Sequence, residues 1–242
     1  MPYDFDKIAR TYDRLNRMMT LGLDRRWRKR AVKEVESGKW HPEGELNTME
    51  KKNNAVKKVE SVLDVACGTG DMAVSLAERG CTVTGIDLSE EMLAIAKRKV
   101  ESGKWKVADA ENLPFAEGEF DAVTCAFGVR NFVHLEQGLS EMLRVLKPGG
   151  RMVILELATP DNLLIRPFYN LYTKHIIPWL GSRIAGNREA YTYLPESIAR
   201  FPKGEAFLEI IQNSKFRIHN SCQRKLTFGV CRMYVINKEA AR

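Results

Sequence analysis

The segment Ser61–Asp71, Ser-Val-Leu-Asp-Val-Ala-Cys-Gly-Thr-Gly-Asp, constrains the fold of this chain more than any other. Its first half is short, apolar and β-branched, as expected of a strand buried on both faces. Gly68 and Gly70 then allow a sharp turn and a close approach of the backbone to a ligand, directly before a helical pattern at 72–78. A strand, a glycine loop and a helix in this order predict an α/β fold that holds a nucleotide-like molecule.

Two classes of ligand compete for this loop, because Gly68-Thr-Gly-Asp-Met-Ala73 is also close to the glycine fingerprint of dinucleotide sites. Asp64 in the strand and Asp71 after the second glycine place negative charge beside the loop. That charge repels a pyrophosphate but attracts the ammonium and sulfonium groups of S-adenosylmethionine. The acids therefore favour S-adenosylmethionine, and a nicotinamide-dependent oxidoreductase or a simple tight turn remains the alternative.

Two further acids follow at the ends of the next strand-like segments. Asp87 ends the run Cys81–Asp87, where a carboxylate can accept both ribose hydroxyls of an adenosine. Asp109 ends a third run, Lys104–Ala110, and is predicted to meet the adenine amino group. Three acids at successive strand ends are typical of an S-adenosylmethionine pocket.

Length and composition favour one globular domain. The 242 residues are 44% hydrophobic and 29% charged, and no apolar run approaches a membrane span. Neither a secretion signal nor ligand spacing among the cysteines and histidines is evident, so we expect a cytoplasmic protein with no metal. The net charge is +7, and residues 25–30 form a basic run. We interpret this run as a solvated helix face or as a surface that contacts anionic lipid, rather than as a nucleic-acid site.

The chain divides into five predicted segments. Residues 1–35 form amphipathic lid helices, the polar residues 36–60 a flexible link, and residues 61–159 the cofactor-binding core. Residues 160–202 are rich in aromatic and apolar residues and are interrupted by prolines. This composition predicts an inserted cap over an apolar substrate, and the alternative is an insertion that only packs onto the sheet. Residues 203–242 supply a helix and two strand-like runs, Phe216–Cys222 and Leu226–Ile236.

Arg130 and Asn131 follow the fourth predicted strand, Phe120–Phe127. The carboxyl end of a central strand faces the crevice in which open sheets bind ligands, so both residues are candidates for the active site. For Arg130 the alternative is a surface ion pair.

The chain resembles the menaquinone and ubiquinone biosynthesis C-methyltransferases, a family of class I S-adenosylmethionine-dependent methyltransferases. The resemblance spans nearly the whole chain. The glycine loop is shared by many methyltransferases, whereas Phe-Gly-Val-Arg-Asn at 127–131 and Tyr-Leu-Pro-Glu-Ser at 193–197 are far more specific to this family. The matching stretches are Phe5-Asp-Lys-Ile-Ala-Arg-Thr-Tyr-Asp-Arg-Leu-Asn16, Leu63-Asp-Val-Ala-Cys-Gly-Thr-Gly-Asp71, Phe127-Gly-Val-Arg-Asn-Phe132, Arg144-Val-Leu-Lys-Pro-Gly-Gly150 and Glu189-Ala-Tyr-Thr-Tyr-Leu-Pro-Glu-Ser197.

The resemblance implies a Rossmann-like, mostly parallel sheet of seven strands with the last strand antiparallel. It implies cofactor contacts at Thr69, at Asp87, at Asp109 with Ala110, and at Ala126, where the family often has a serine.

The implied reaction is methylation of a ring carbon of a polyprenylated quinol, with the demethylated naphthoquinol favoured over the benzoquinol. Arg130 would stabilise the ring phenolate, and a water held by Arg130 and Asn131, or Tyr12 from the lid, would relay the proton. A tailed quinol also implies transient contact with a membrane surface, expected at the inner face of the cell membrane, through Leu163–Leu180 and the basic residues Arg166, Lys174 and Arg183. A homodimer and a non-catalytic S-adenosylmethionine-binding protein are left open.

Overall fold

The structure is a computed structural model that describes residues 5–37, 59–177 and 188–240. Most of the predicted link and Arg183 lie outside the described residues, as does the side chain of Lys174. No described helix is both long enough and apolar enough to traverse a bilayer.

A seven-stranded sheet forms the centre of the protein, with the strand order β3-β2-β1-β4-β5-β7-β6. Strands β1 to β5 run parallel, and β7 is antiparallel to both of its neighbours. The prediction of a mostly parallel sheet with an antiparallel last strand is therefore confirmed. The strands are β1 (Ser61–Val65), β2 (Thr82–Asp87), β3 (Lys104–Val107), β4 (Phe120–Ala126), β5 (Leu146–Leu157), β6 (Ile218–Leu226) and β7 (Cys231–Lys238).

Eight α-helices lie in the described residues. The chain enters the first through a 3-10 turn at Phe5–Ile8, and a π-helical turn at Tyr172–Ile176 continues the sixth. The helices are α1 (Ala9–Met19), α2 (Leu23–Glu36), α3 (Asp71–Ala77), α4 (Glu90–Lys99), α5 (Leu135–Val145), α6 (Arg166–Leu171), α7 (Arg188–Arg200) and α8 (Glu205–Gln212).

Alternate residues of the sheet divide between two hydrophobic layers. Val62 of β1 packs on the side of α2 and α3, whereas Leu63 packs on the side of α5 and α8. Both valine and leucine are fully buried, as the apolar run of β1 predicts. The helical layers hold the sheet so that the carboxyl ends of β1, β2 and β4 meet at one edge.

The structure differs from the prediction in the role of α2. Trp27, Ala31, Val32 and Val35 of this helix are at most 3% exposed and belong to the core beside β5. Because these residues follow a helical period, they form the apolar face of a core helix. The expectation of a mobile lid therefore applies to α1 alone.

Two predicted strand boundaries were wrong. Strand β3 ends at Val107, so Asp109 lies in the loop beyond it. Leu226 ends β6 instead of beginning the last strand, because a 3-10 turn with Phe228 in the left-handed region separates the two strands.

Candidate functional site

The glycine loop turns as predicted, but its two glycines have different roles. Gly68 has φ +54°, and its N–H donates to Oδ2 of Asp87 at 2.8 Å. Gly70 has φ +81°, and a Cβ there would lie 2.9 Å from the Cβ of Ala96 in α4. Gly68 lines the binding cavities, while Gly70 permits close packing of the loop on α4.

A first cavity, the nucleoside cavity, of about 80 Å³ lies at the ends of β2 and β4. Asp87, 9% exposed, faces it and accepts hydrogen bonds from the N–H groups of Gly68 and Ser89 at 2.8 and 3.0 Å. A carboxylate offers about four acceptor sites, so two remain for the hydroxyls of a ribose. The nucleoside cavity is also lined by six other predicted site residues: Tyr12, Gly68, Asp109, Ala110, Ala126 and Asn131.

Burial raises the pKa of Asp87, although the N–H groups of Ser89 and Gly68 oppose that rise. Asp109 is exposed and accepts a hydrogen bond from the N–H of Glu111 at 2.9 Å. These two acids thus line one cavity in different settings. Asp87 is fixed by backbone donors, whereas Asp109 lies at the open end.

A second cavity, the amino-acid cavity, is about 20 Å³ and lies between α2 and the glycine loop. Asp64 lines it and is fully buried. The hydroxyl of Thr124 donates to Oδ1 of Asp64 at 2.8 Å, but Oδ2 has no hydrogen-bond partner among the described residues. Burial raises the pKa of Asp64 to about 7. A cationic ligand group would satisfy this carboxylate.

Asp71 does not contribute the free negative charge that was predicted for it. Its Oδ1 accepts a hydrogen bond from Nζ of Lys99 at 2.6 Å, and Arg17 lies 3.7 Å from Oδ2. Although burial acts to raise its pKa, the contacts with Lys99 and then the charges of Arg28 and Arg17 hold it below the ordinary value. The electrostatic argument for a cationic ligand therefore depends on Asp64 alone.

Helix α1 lies across the glycine loop. Asp13 accepts a hydrogen bond from the hydroxyl of Thr69 and another from Nζ of Lys99, the latter at 2.5 Å. Asp6 accepts a hydrogen bond from the hydroxyl of Ser89 at the start of α4. The predicted cofactor contact Thr69 is thus bonded to α1, which explains why the two cavities beneath the helix are small.

A third cavity, the substrate cavity, is much larger, at about 390 Å³, and its lining is mainly apolar and aromatic. Helices α1, α2, α6 and α7 and the turn between β6 and β7 all contribute to it. Tyr12 of α1 lines this cavity as well as the other two. Tyr12 therefore forms part of the wall of all three cavities.

Arg130 and Asn131, neighbours in sequence, face different cavities. Arg130 lines the substrate cavity, whereas Asn131 lines the nucleoside cavity. Nη1 of Arg130 donates to Oε1 of Glu156 and to the carbonyl oxygen of Phe127, both at 2.6 Å. The predicted alternative of an exposed ion pair is thus replaced by a buried one, with side-chain exposures of 6% and 1%.

Phe127 forms the partition between the nucleoside and substrate cavities and lines both. Its backbone lies in the left-handed region at φ +64°, a conformation that is costly for a bulky residue. Trp27 packs edge-on against its ring, and the guanidinium carbon of Arg28 lies 5.2 Å from the ring centroid. The bond from Arg130 fixes the carbonyl of the same residue.

Three functional candidates were missed in the sequence: Arg28, Glu156 and Tyr169. Arg28 lies in the basic run interpreted as a solvated face, but it is 6% exposed, whereas the basic residues at 25, 26, 29 and 30 are exposed. The signal was Asp24, four residues earlier and able to pair with it along the helix. Burial raises the pKa of Tyr169, which lines the substrate cavity, to about 12, with the charge of Arg130 opposing.

Comparison with known proteins decides the family. The family model described as the ubiE/COQ5 methyltransferase family matches residues 3–238. The chain belongs to this methyltransferase family. It is 42% identical over 238 residues to a demethylmenaquinone methyltransferase of Thermus thermophilus, covering 96% of this chain and 98% of that protein. It is 40% identical over 243 residues to the ubiquinone/menaquinone biosynthesis C-methyltransferase UbiE of Geotalea daltonii, covering 97% and 94%.

Solved structures agree on the fold of this methyltransferase. A chain from the complex of the Haloferax volcanii Trm112 methyltransferase activator with a methyltransferase has a TM-score of 0.64 and 17% identity, covering 98% of each chain. A methyltransferase structure from Thermotoga maritima has a TM-score of 0.59 and 16% identity, covering 98% of this chain and 100% of that one. At these identities the likeness concerns the fold alone.

The cofactor of the family is S-adenosylmethionine, and the residues present fit it. Asp87 retains acceptor sites at the nucleoside cavity, and the unpartnered Oδ2 of Asp64 suits an ammonium group. When bound, S-adenosylmethionine supplies an electrophilic methyl group on a sulfonium. The chain is therefore an S-adenosylmethionine-dependent methyltransferase. Among its described residues, no cluster of His, Cys, Asp and Glu is arranged to hold a metal ion.

Proposed function

We propose that this methyltransferase methylates a ring carbon of a polyprenylated quinol, with demethylmenaquinol as the preferred substrate. The observation that carries the proposal is the substrate cavity, which is apolar, about 390 Å³ in volume and shares the lining residue Tyr12 with both cofactor cavities. Its volume is within the range of small-molecule sites, and its aromatic walls suit a flat ring with an isoprenoid tail.

The relatives support a quinol but differ in the ring that their names imply. The Thermus thermophilus and Deinococcus radiodurans relatives are demethylmenaquinone methyltransferases, whereas the Geotalea daltonii relative is named for ubiquinone and menaquinone together. The Deinococcus radiodurans protein is 40% identical, covering 97% of this chain and 90% of that protein. The benzoquinol of ubiquinone biosynthesis is therefore the second candidate substrate.

A direct assay distinguishes the two rings. The purified protein is incubated with labelled S-adenosylmethionine and either demethylmenaquinol or the demethylated benzoquinol, both with the same tail. We expect labelled methyl groups on the naphthoquinol, with a kcat/KM at least about tenfold higher than on the benzoquinol. A reversed preference would reassign the substrate, and no transfer to either quinol would contradict the proposal.

The chain must help a weakly nucleophilic ring carbon to react. Loss of a proton from a ring hydroxyl pushes electron density onto the carbon that accepts the methyl group, and the carbon then loses its own proton. We assign stabilisation of the phenolate oxygen to Arg130, which lines the substrate cavity, and transfer of the hydroxyl proton to Tyr12, which lines all three cavities. Asn131 faces the nucleoside cavity, so we assign it to cofactor positioning.

Arg130→Lys tests the phenolate role. Lysine keeps the charge and a bond to Glu156 but loses the planar fork of donors. We expect kcat to fall about tenfold or more while the affinity for S-adenosylhomocysteine, measured by calorimetry, stays within about twofold. An equal loss of both quantities would make Arg130 a purely structural residue.

Entry of the cofactor requires α1 to move, because the two cavities beneath it are too small for S-adenosylmethionine. Thr69 and Lys99 donate hydrogen bonds to Asp13, and Ser89 donates one to Asp6, and these contacts hold this lid in place. We propose that α1 opens by breaking these contacts, which frees the Thr69 hydroxyl to bind the ligand. The helix then closes again over the bound cofactor.

The mouth of the substrate cavity supports a membrane-facing role. Leu21 and Phe168 line the cavity, yet they are 77% and 73% exposed, so they lie at its entrance. Phe228, in the turn that also lines the cavity, is 75% exposed. Such an apolar rim beside the exposed Arg166 suits docking on an anionic bilayer, from which a tailed quinol can enter.

Vesicle binding tests this rim. We expect reversible binding to anionic vesicles that weakens with salt and falls several-fold in the double variant Leu21→Ser/Phe168→Ser. The control Leu88→Ser changes an exposed leucine outside the lining of the substrate cavity and should bind as the wild type does. Full activity on short-tailed quinols without any vesicle binding would contradict docking but not the quinol reaction.

A further inference from the structure

Arg28 of α2 is a buried cation in the wall between the amino-acid cavity and the substrate cavity, and it lines both. Asp24, one turn earlier, holds it by accepting a hydrogen bond from Nη1 at 2.6 Å. Asp24 is itself 1% exposed and accepts a second bond from the hydroxyl of Thr20 at 2.9 Å. The head of Arg28 is therefore positioned before any ligand arrives.

The guanidinium retains unused hydrogen-bonding capacity. Nε of Arg28 is buried and has no hydrogen-bond partner among the described residues. One flank of the group faces the ring of Phe127, which cannot accept a conventional hydrogen bond. Leaving a buried donor unsatisfied destabilises the fold, so an acceptor supplied by a ligand would remove a penalty that the fold carries alone.

Other cations near the loop are already engaged. Lys99 bonds to Asp13 and Asp71, and Arg17 pairs with Asp71. Among the described residues that line the amino-acid cavity, Arg28 is the only cation. Asp64, with its unpartnered oxygen, lines the same cavity, and the two are close enough for the charge of Arg28 to lower the pKa of Asp64 against the effect of burial.

One buried acid and one buried base in the same small cavity match a zwitterion. The methionine end of S-adenosylmethionine carries an ammonium and a carboxylate on one carbon, and Asp64 by itself would repel that carboxylate. We propose that Arg28 binds the cofactor α-carboxylate while Asp64 binds the α-ammonium. This inference rests on the cofactor of the family and does not depend on which quinol is methylated.

Ligands with and without the amino-acid end test the assignment. Calorimetry on the full chain compares S-adenosylhomocysteine with 5′-methylthioadenosine, which lacks that end, in wild type and Arg28→Met. We expect the affinity for S-adenosylhomocysteine to fall at least about tenfold, since a charge-assisted contact is lost. The affinity for 5′-methylthioadenosine should change by less than about twofold, because its contacts lie in the nucleoside cavity.

Two further variants keep the test decisive. Arg30→Met removes an exposed arginine from the same helix and should leave both affinities unchanged. Arg28→Lys preserves a cation beside Asp24 and serves if Arg28→Met does not fold, with a selective loss of about threefold expected for S-adenosylhomocysteine. Equal losses for the two ligands, or no loss for S-adenosylhomocysteine, would overturn the assignment. No quinol is present, so failure of the quinol proposal leaves this result intact.

Discussion

The cofactor site and the substrate cavity of this methyltransferase are built in opposite ways. The nucleoside cavity draws nearly all of its lining from residues 66–133, chiefly from the ends of β1, β2 and β4. The substrate cavity collects side chains from α1, α2, α6 and α7 and from the turn before β7, segments spread over some 200 positions of the chain. The first contains fixed carboxylates, while the second is mainly apolar.

Specificity for the cofactor and specificity for the substrate are therefore encoded in different ways. Parallel strands bring their carboxyl ends to one edge, so a nucleotide site needs only the right residue at each strand end. An apolar cavity needs several helices to pack so as to leave a space, and no local pattern specifies that space. Phe127, Tyr12 and Arg28 connect the two regions, because each lines the substrate cavity and at least one cofactor cavity.

The largest effect, a loss of stability, is expected for the buried pair of Arg130 and Glu156, which supports the wall between the nucleoside cavity and the substrate cavity. Glu156→Ala leaves the guanidinium of Arg130 buried without its partner and loosens the carbonyl of Phe127. We expect the free energy of unfolding to fall by about 3 kcal/mol or more in denaturant titrations. The double variant Arg130→Met/Glu156→Leu should recover part of this loss, since neither charge then remains buried.

The matched control for this prediction is the exposed ion pair between Arg200 and Glu196, whose side chains are 72% and 69% exposed. Glu196→Ala should change stability by less than about 0.5 kcal/mol. If Glu156→Ala were equally mild, the wall between the two cavities would not depend on the buried pair.

The second effect, a loss of cofactor affinity, should leave the substrate cavity unaffected. Asp87→Ala removes a charged acceptor from the nucleoside cavity, where we propose that it binds the ribose, so we expect the affinity for S-adenosylhomocysteine to fall by about 1.5–3 kcal/mol in calorimetry. A soluble naphthoquinol analogue should bind as before, because Asp87 does not line the substrate cavity. Asp87 also accepts two backbone N–H bonds, so thermal melting of the variant must show an intact fold. Unchanged cofactor affinity in a folded variant would exclude Asp87 from the site.

The third effect is a pH dependence of cofactor affinity that quinol binding should not share. Burial raises the pKa of Asp64 to about 7, so the folded protein holds this proton where the unfolded chain has released it. Its contribution to stability therefore falls as pH rises from about 4 to about 7. An ammonium ligand requires the charged carboxylate, so cofactor affinity should instead increase about eightfold between about pH 6 and pH 7.5.

Asp64→Asn is the control for this pH dependence. Its cofactor affinity should be weak and nearly constant over the same range, while binding of a neutral quinol analogue should be insensitive to pH in both proteins. A wild-type affinity that does not vary with pH would show that Asp64 is not the group that meets the ammonium.

The smallest effect is expected in the substrate region alone. Ile198 of α7 lines the substrate cavity and is 7% exposed, so Ile198→Trp would fill part of the space. Overpacking of this kind costs about 1–3 kcal/mol, and we expect the KM for the quinol to rise about fivefold or more. Cofactor affinity should stay within about twofold, and Ile198→Leu should behave as the wild type. A matching loss of cofactor affinity would show that the two regions are not separable.

The order of strand, glycine loop and helix, and the position of Asp87 at the end of β2, follow from the amino-acid sequence alone. Val62, Leu63 and Val65 specify a buried strand through their own shape and hydrophobicity, and Gly68 and Gly70 permit the turn that follows. Because parallel strands end at one edge, the pattern predicted Asp87 at the ligand site, and the family resemblance added Ala126, which lines the same cavity.

Only the tertiary structure decided which charges are available to a ligand. Asp71 looked free in the sequence, but Lys99, 28 residues away, pairs with it. Arg28 looked solvated, yet the packing of α2 on the sheet buried it beside Asp64. Arg130 met Glu156 because β4 and β5 are neighbours. Burial and pairing depend on contacts between distant segments, and these contacts set the charge and hydration of each group.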